Sequence, residues 1–578
     1  MTSSEYQQCR QIHGVAASSG MAIGPAYQLR PRETHVLRRT VVDVAAEIVR
    51  LGDARRQARA ELESLQAHVL ATVSAAEAGI FEAHIVFLED PTLFDEVEAT
   101  CRATNCNVEV AVEVTFDGYR DVLLESEDEL FRARANDLED IKQRLLRILG
   151  GTTAGFDLLP EPCVIFADDL LPSVAVQLDR SRILGFCLAT GGPTSHVAIL
   201  ARGLGLPAVM GLGDTILDLP AGVTVVVDGT NGLLVVEPSP ELLQSYTTQI
   251  DRERTRRAKE RIAARAPATT TDGTTVVLLA NLSSLAEAEE AVASGAEGVG
   301  LLRTELLFMD RATPPTEDEQ LGLYRQIAAL LDGRPLVIRT LDIGGDKPVP
   351  YLRQPPEQNP ALGVRGVRLA RSEPQLLRDQ VRAIWRIGSG YPVKVMFPMV
   401  ASLEEVYWLR GLVAEIGAEL RDQGQPILDR LEVGVMVEVP ALALLADHVA
   451  RLVDFMSIGT NDLTQYALAV DRTNAAVSGI GDALHPALLR LIAQVARAAR
   501  AGGAAVSVCG ELAGNPLGIP VLAGFGIHTL SMSPPLIPAA KTAIRELSLA
   551  QARSVAEHVV DLASTHEVRA YLERWISP

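Results

Sequence analysis

The sequence predicts an α/β fold in two parts: a mixed α/β domain interrupted by an inserted helical bundle, followed by a (β/α)8 TIM barrel. Three patterns carry that expectation. Over residues 42–150 apolar side chains recur at helical spacing in a stretch rich in Ala, Leu, Glu and Arg. Short apolar runs broken by Gly and Pro lie on both sides of that stretch. From about Ala268 onward, eight strand-like runs alternate with helical stretches.

Taken in order, residues 15–27 hold apolar stretches interrupted at Gly20, Gly24 and Pro25, as a strand with a turn requires. The helical pattern that follows breaks at Leu88-Glu89-Asp90-Pro91, which divides it into an antiparallel bundle. Residues 163–167, 183–189, 223–227 and 233–236 read as strands, and the last two flank Asp228-Gly229-Thr230-Asn231-Gly232, whose Asn-Gly is a hairpin signal. The simplest account makes one α/β domain from residues 1–30 and 148–245, with residues 31–147 inserted into it. Residues 246–267 are charged with helical spacing and read as a solvated connecting helix. Residues 268–578 supply the barrel, with strands expected at 276–281, 298–302, 335–340, 394–398, 433–438, 454–459, 505–509 and 528–532.

Composition narrows the partners. With 73 acidic against 53 basic residues the net charge is -20, which argues against nucleic acid and suits a small basic protein. The six cysteines include no Cys-x-x-Cys pair, so reduced thiols in a cytoplasm are expected rather than a disulfide framework or a zinc site. No apolar run of about 18 residues and no signal-peptide pattern occurs, so a soluble, unsecreted protein is expected.

Barrels of this kind carry chemistry where their strands end. The residues at or just past those ends are Arg303, Arg339, Glu438, Asn461 with Asp462, and Cys509. Two arginines suit a ligand carrying phosphate and carboxylate, because a guanidinium forks onto both. Two carboxylates without neighbouring histidines suit a hard cation, most simply Mg2+ completed by substrate oxygens and water. Cys509, before a Gly turn, is either a reactive thiol or a small buried hydrophobe. Arg365, Arg368 and Lys347 are either rim phosphate ligands or surface charges, while His448 and His485 lack companions at ligand spacing and read as structural.

The run Gly191-Gly192-Pro193-Thr194-Ser195-His196-Val197-Ala198 adds a nucleophile. Paired glycines let backbone approach a bulky anion, and a helix starting at His196 would turn free N–H groups toward a phosphoryl group. A neutral imidazole is a competent nucleophile near pH 7. The same residues also describe an ordinary loop and a capped helix. A barrel rim built for phosphate and a cation supplies the donor that favours a phosphorylated His196.

These motifs, in this order, resemble those of the Enzyme I family, the phosphoenolpyruvate-protein phosphotransferases of the bacterial sugar phosphotransferase system, over essentially the whole chain. The resemblance rests on Gly-Gly-Pro-Thr-Ser-His196, Gly300-Leu301-Leu302-Arg303-Thr304-Glu305, the run from Ile338 through Arg339 and Asp342 to Lys347, Val435-Met436-Val437-Glu438, the run from Ser457 through Asn461 and Asp462 to Tyr466, and Cys509-Gly510-Glu511-Leu512-Ala513-Gly514. It implies phosphoenolpyruvate as donor, Mg2+ as cofactor, and a phosphoryl group taken onto Nε2 of His196 and passed to a histidine of the small carrier HPr. By motif, His196 is the nucleophile and Cys509 the acid that protonates the enolate carbon. Glu438 and Asp462 would bind Mg2+, and Arg303, Arg339, Asn461, Asp462 and Arg472 would hold phosphoenolpyruvate. Residues 1–30 and 148–245 would form the swivelling phosphohistidine domain and residues 31–147 the carrier-docking bundle, with hinges near residues 240–266. The barrel would form a homodimer. Pro193, where many members carry a side chain such as Arg, and Ser18-Ser19-Gly20, where Ser-Pro-Gly is common, leave open a paralogue serving a dedicated carrier of another branch. Pyruvate phosphate dikinase and phosphoenolpyruvate synthase share the histidine domain and the barrel, but no Gly-x-x-x-x-Gly-Lys-[Ser/Thr] loop precedes His196.

Overall fold

The structure is a computed structural model that describes residues 10–29, 36–72, 81, 84–124, 129–151, 159, 161–170, 174, 178–192, 195–309, 311, 313–344, 349, 351–352, 357–472, 474, 477 and 479–576; the side chains at 67–72, 129–133, 180, 196, 199 and 203 stand outside that description. Cys9, Pro193, Thr194 and Lys347 therefore lie outside the described residues. The chain divides into two compact units, Met1–Arg254 and Thr255–Pro578.

In the first unit, strands from the start of the chain and from beyond the helices share one eight-stranded sheet, ordered β1-β8-β7-β3-β4-β5-β6-β2. The strands are β1 (Arg10–His13), β2 (Val15–Ser18), β3 (Met21–Gln28), β4 (Cys163–Ala167), β5 (Ile183–Leu188), β6 (Ala208–Met210), β7 (Thr224–Asp228) and β8 (Leu233–Val236). β3 runs parallel to β4 and antiparallel to β7, with Tyr27 opposite Ile165 and Ile23 opposite Val226. The β7–β8 hairpin is organised by the Asp228 carboxylate, which accepts from the backbone N–H groups of Thr230 at 3.1 Å and Asn231 at 3.0 Å. Gly232 closes the turn at φ +65, a backbone region that favours glycine.

The intervening helices include α1 (Val44–Thr72), α2 (Pro91–Thr104), α3 (Val108–Leu124) and α4 (Glu129–Leu149). The expected break at Asp90-Pro91 is a helix start: the Asp90 carboxylate accepts from the N–H groups of Thr92 and Leu93, and Pro91 fills the first helical turn, where its missing N–H costs nothing. Leu51, Leu62, Phe94, Phe116 and Ile141 form a core that continues through Ile165, Phe186 and Met210 on one face of the sheet. Alternation along the strands sends Val164, Phe166, Cys187 and Val209 to a second core on the opposite face.

Helix α5 (His196–Leu204) stands between β5 and β6, and α6 (Pro240–Ala263) carries the chain onward. The latter begins at Pro240, earlier than the connecting segment expected from residue 246. Its last turn is tied down within the second unit. Arg545 donates to the carbonyl oxygens of Ala263 (2.8 Å), Ala266 (2.6 Å) and Pro267 (3.1 Å), and the Lys541 ammonium to that of Ala266 (3.3 Å). Cations at carbonyls left open by a helix end are favourable partners.

The second unit is a closed barrel of parallel strands. They are β10 (Thr275–Leu282), β11 (Val299–Leu302), β12 (Leu336–Arg339), β13 (Val393–Phe397), β14 (Glu432–Val437), β15 (Phe455–Ile458), β16 (Ala505–Val508) and β17 (Thr529–Met532), with β10 pairing both β11 and β17. All eight fall where the alternation of apolar runs placed them. The two-residue β9 (Ala268–Thr269), antiparallel to the start of β10, was not foreseen, because its run of threonines and one Ala shows no apolar alternation. The outward faces of the strands pack on the helices through a core that includes Val276, Ile338, Val395, Val435 and Ile458. Inside, Leu301, Val337, Met396, Met436, Phe455 and Cys509 meet one another. Phe455 lies against Gly434, where a Cβ would come within 2.4 Å of its ring.

Candidate active site

Strand alternation decides which side chains meet over the barrel axis. In β12, Leu336 and Ile338 face the helices and Val337 faces inward, so Arg339, two residues on, caps the interior. The same parity carries Met436 to Glu438 after β14 and Leu301 to Arg303 after β11, while Cys509 itself sits in the interior cluster after β16. Arg303, Arg339, Glu438 and Cys509 lie close enough that the Cys509 thiol feels the charges of the other three.

At the rim runs a chain of buried charges. Arg339 is 8% exposed; its Nη2 donates to Glu305 Oε1 at 2.6 Å and its Nη1 lies 3.3 Å from Asp342 Oδ2. Asp342 in turn receives Arg365 through both oxygens, at 3.0 and 2.7 Å, and Arg365 Nη1 reaches Asp462 Oδ1 at 3.2 Å. Burial works against the charged form of Arg339 and Arg365, but the adjacent carboxylates outweigh it and hold both guanidiniums above the usual arginine range. Asp462 lies in the first turn of a helix (Thr460–Leu468), and the Arg472 guanidinium stands 3.9 Å from its Oδ1. Asn461 faces Glu511, exchanging one hydrogen bond through its Nδ2 and one through its Oδ1, each 2.9 Å.

Glu438 is fully buried and only half satisfied. Its Oε1 accepts at 2.6 Å from the N–H of Met399, a residue with φ 58, and among the described residues its Oε2 has no partner. Burial, with Asp342 and Asp462 nearby, pushes Glu438 up to about 8, against the pull of Arg339 and the Met399 N–H. Gly459 borders the unpartnered oxygen, and a Cβ there would stand 3.1 Å from Oε2. Burial pushes the Cys509 thiol up to about 11, opposed by the Ser457 hydrogen bond and by Arg339 and Arg303, so it carries its proton at neutral pH. Among the described residues no group of three or more His, Cys, Asp or Glu side chains is placed as a ready metal cage.

In the first unit, His196 is the first residue of α5, as expected from the apolar spacing after it. Ser195 caps that helix: its Oγ accepts from the Ala198 N–H at 3.3 Å and donates to Met210 Sδ at 3.1 Å. Gly191 turns the preceding backbone at φ +87.

Several participants escaped sequence reading. Glu305 follows Arg303 by two residues and Asp342 follows Arg339 by three, so a carboxylate close behind a strand-end arginine was the available signal. Arg365, left open between ligand and surface charge, is buried in the network. Arg368 instead donates to the carbonyls of Leu362 and Gly363 in its own loop.

Family models match three stretches of the chain: residues 13–134 a PEP-utilising enzyme N-terminal region, residues 159–232 a PEP-utilising enzyme mobile domain, and residues 257–549 a PEP-utilising enzyme PEP-binding domain. Curated relatives cover almost the whole length. A phosphoenolpyruvate-protein phosphotransferase of Geobacillus stearothermophilus is 40% identical over 98% of this chain and 98% of its own, and one of Bacillus subtilis is 38% identical over 98% and 99%. A multiphosphoryl transfer protein of Rhodobacter capsulatus is 42% identical over 97% of this chain, which spans 67% of that longer protein. The chain therefore belongs to the phosphoenolpyruvate-utilising enzymes, as a transferase of the phosphoenolpyruvate-protein phosphotransferase family.

Proposed function

We propose that the chain takes the phosphoryl group of phosphoenolpyruvate onto His196, releases pyruvate, and hands the group to a histidine of a small carrier of the HPr type, as the first step of the sugar phosphotransferase system. The observation that carries this reading is the convergence of Arg303, Arg339, Glu438 and Cys509 over one barrel axis. Residues 1–30 and 148–245 are the swivelling unit, in keeping with the mobile-domain match over 159–232, and residues 31–147 dock the carrier. The α6 region serves as the connection, and the barrel as the dimerising part of a cytoplasmic homodimer. No helix among the described residues is long and apolar enough to cross a membrane.

The residues present fit a divalent cation. In the buried layer, once Glu438 has given up its proton, the carboxylates of Glu305, Asp342, Glu438 and Asp462 outnumber the guanidiniums of Arg339 and Arg365 by two, the charge that such an ion brings. Among the described residues the contacts to Asp462 fall on Oδ1 and Glu438 Oε2 is unpartnered, so each offers an oxygen to a cation. Glu438 and Asp462 would hold Mg2+, a hard ion content with two carboxylates plus water and substrate oxygens. When bound, it would neutralise charge on the oxygens of the reacting phosphoryl group and the departing enolate.

The chain's own groups do the rest. Arg303, Arg339, Asn461, Asp462 and Arg472 hold and orient phosphoenolpyruvate, with the guanidiniums on its phosphate and carboxylate. Nε2 of His196 attacks phosphorus in line while the bond to the enol oxygen breaks and its electron pair stays with the enolate. Cys509, a protonated thiol, gives its proton to the enolate carbon to yield pyruvate and regains one from solvent. Incubation with labelled phosphoenolpyruvate, Mg2+ and candidate carriers tests the scheme. An acid-labile, base-stable label on His196 that chases onto the carrier is expected, and label persisting in His196→Ala would overturn the assignment.

A further inference from the structure

A buried polar cluster lies behind the rim and meets the proposed substrate ligands at the backbone of Arg339. Its hub is Gln380, 0% exposed, on the helix Pro374–Trp385 that follows β12. Gln380 Oε1 accepts from the Leu341 N–H at 2.8 Å, and its Nε2 donates to Thr304 Oγ1 and to the Tyr324 hydroxyl, each at 3.1 Å. Because a backbone N–H can be met only by an oxygen, the orientation of this amide is fixed, and its NH2 group must face Thr304 and Tyr324. The Tyr324 hydroxyl donates to Gln320 Oε1 at 3.3 Å, and Gln320 Nε2 donates to the Pro315 carbonyl at 3.2 Å.

Thr304 shows what the cluster is for. It occupies the cap position of the short helix Glu305–Phe308, yet its side chain makes no capping bond, the usual use of a threonine there. Its hydroxyl, having accepted from Gln380, donates to the Arg339 carbonyl at 3.0 Å. One amide thus binds the residue directly after Arg303 and the residue two past Arg339, and through Thr304 it also reaches the backbone of Arg339 itself. Glu305 makes a parallel tie on the other side of the same junction, joining the Arg339 guanidinium to the Asp342 N–H at 3.2 Å.

We infer that Gln380 is a positioning residue that acts through Thr304 to set the spacing of Arg303 and Arg339, and so the grip on the substrate phosphate. The inference rests on the proposed role of those two arginines. Hydrogen bonds saturated in a dry interior hold their partners closely, and a displacement of about 1 Å at a substrate-positioning group costs up to about a hundredfold in rate.

The test is a set of initial rates of pyruvate release against phosphoenolpyruvate concentration, at saturating Mg2+ and with an excess of an HPr-type carrier as phosphoryl acceptor, for full-length wild type, Gln380→Met, Thr304→Val and Thr304→Ser, with melting temperatures alongside. Gln380→Met and Thr304→Val should each raise KM for phosphoenolpyruvate by about tenfold or more, with kcat moving less, and the double variant should be no worse than the poorer single. Thr304→Ser, which keeps the hydroxyl, should recover most of the loss. A purely structural role would lower the active fraction, and hence the apparent kcat, at unchanged KM. An unmoved KM in Thr304→Val overturns the inference even if Gln380→Met fails to fold. A wild-type protein that releases no pyruvate overturns the functional reading, and this inference with it; an active wild type with unmoved KM in the variants overturns only the inference.

Discussion

The barrel rim and the segment leading into His196 hold their polar groups in opposite ways. At the rim, carboxylates and guanidiniums are buried and paired with one another across strands, Arg339 to Glu305 and Asp342, Arg365 to Asp342 and Asp462. Among the described residues ahead of His196, Gly191 has φ +87, and Ser195, which caps the nine-residue helix starting at His196, has a thioether as its other partner. A donor site that waits for one substrate gains from groups locked in place, since preorganised charge costs no rearrangement during reaction. In the proposed cycle a histidine that serves a donor and then a separate acceptor gains from lighter anchoring of the segment that leads into it.

That contrast breaks most sharply at its two reactive ends. His196→Ala should abolish labelling by phosphoenolpyruvate altogether, read by acid-labile radioactivity in denaturing gels. Glu438→Gln should cut Mg2+-dependent labelling by roughly a thousandfold, a loss in the range seen when a single preorganised electrostatic group is removed. The same residue sets a pH dependence. Glu438, pushed up to about 8, keeps its proton at neutral pH and must lose it to bind a cation, so Mg2+ affinity should weaken by up to about tenfold per unit as pH falls below 8. The metal-free fold binds this proton more tightly than the unfolded chain does, so its stability contribution is lost as pH rises between the ordinary carboxylate range and about 8. Thermal shift by Mg2+ should accordingly be larger at pH near 8.5 than near 6.5, and that difference should vanish in Glu438→Gln.

A smaller effect separates chemistry from binding at the rim. Cys509→Ala should slow net turnover by about a hundredfold, within the usual range for a general acid, while KM for phosphoenolpyruvate stays within about threefold; a large rise in KM at normal turnover would contradict the acid role. The smallest change is expected away from the rim. Arg545→Met should lower stability by about 1–2 kcal/mol, as loss of charged hydrogen bonds to the Ala263, Ala266 and Pro267 carbonyls would, and leave labelling by phosphoenolpyruvate intact. Urea unfolding and the labelling assay check the two halves of that statement.

Much of this was legible in the sequence because strand alternation does double duty. The apolar runs located each barrel strand, and reading at or just past the end of each run singled out Arg303, Arg339, Glu438 and Cys509. What stayed hidden were groups whose role depends on partners far along the chain. Gln380 sits mid-helix with nothing local to mark it, and only the fold brings it against Thr304 and Leu341. Arg365 could not be told from a surface charge until Asp342 and Asp462 stood beside it. In the first unit, Asn231-Gly232 announced the hairpin, but Asp228, three residues before Asn231, is what organises it.

The core shared by the helices and the sheet of the first unit bears on how chimeras of this family can be made. Leu51, Phe94 and Phe116 lie in one continuous apolar cluster with Ile165, Phe186 and Met210, so a splice that imports residues 31–147 alone from a relative would set foreign knobs against native holes. Crossover points placed outside the whole of Met1–Arg254 keep that seam intact. On the proposed docking role of residues 31–147, carrier preference should therefore move between relatives as a property of the complete N-terminal half, and a graft of the helices alone should fail first in folding.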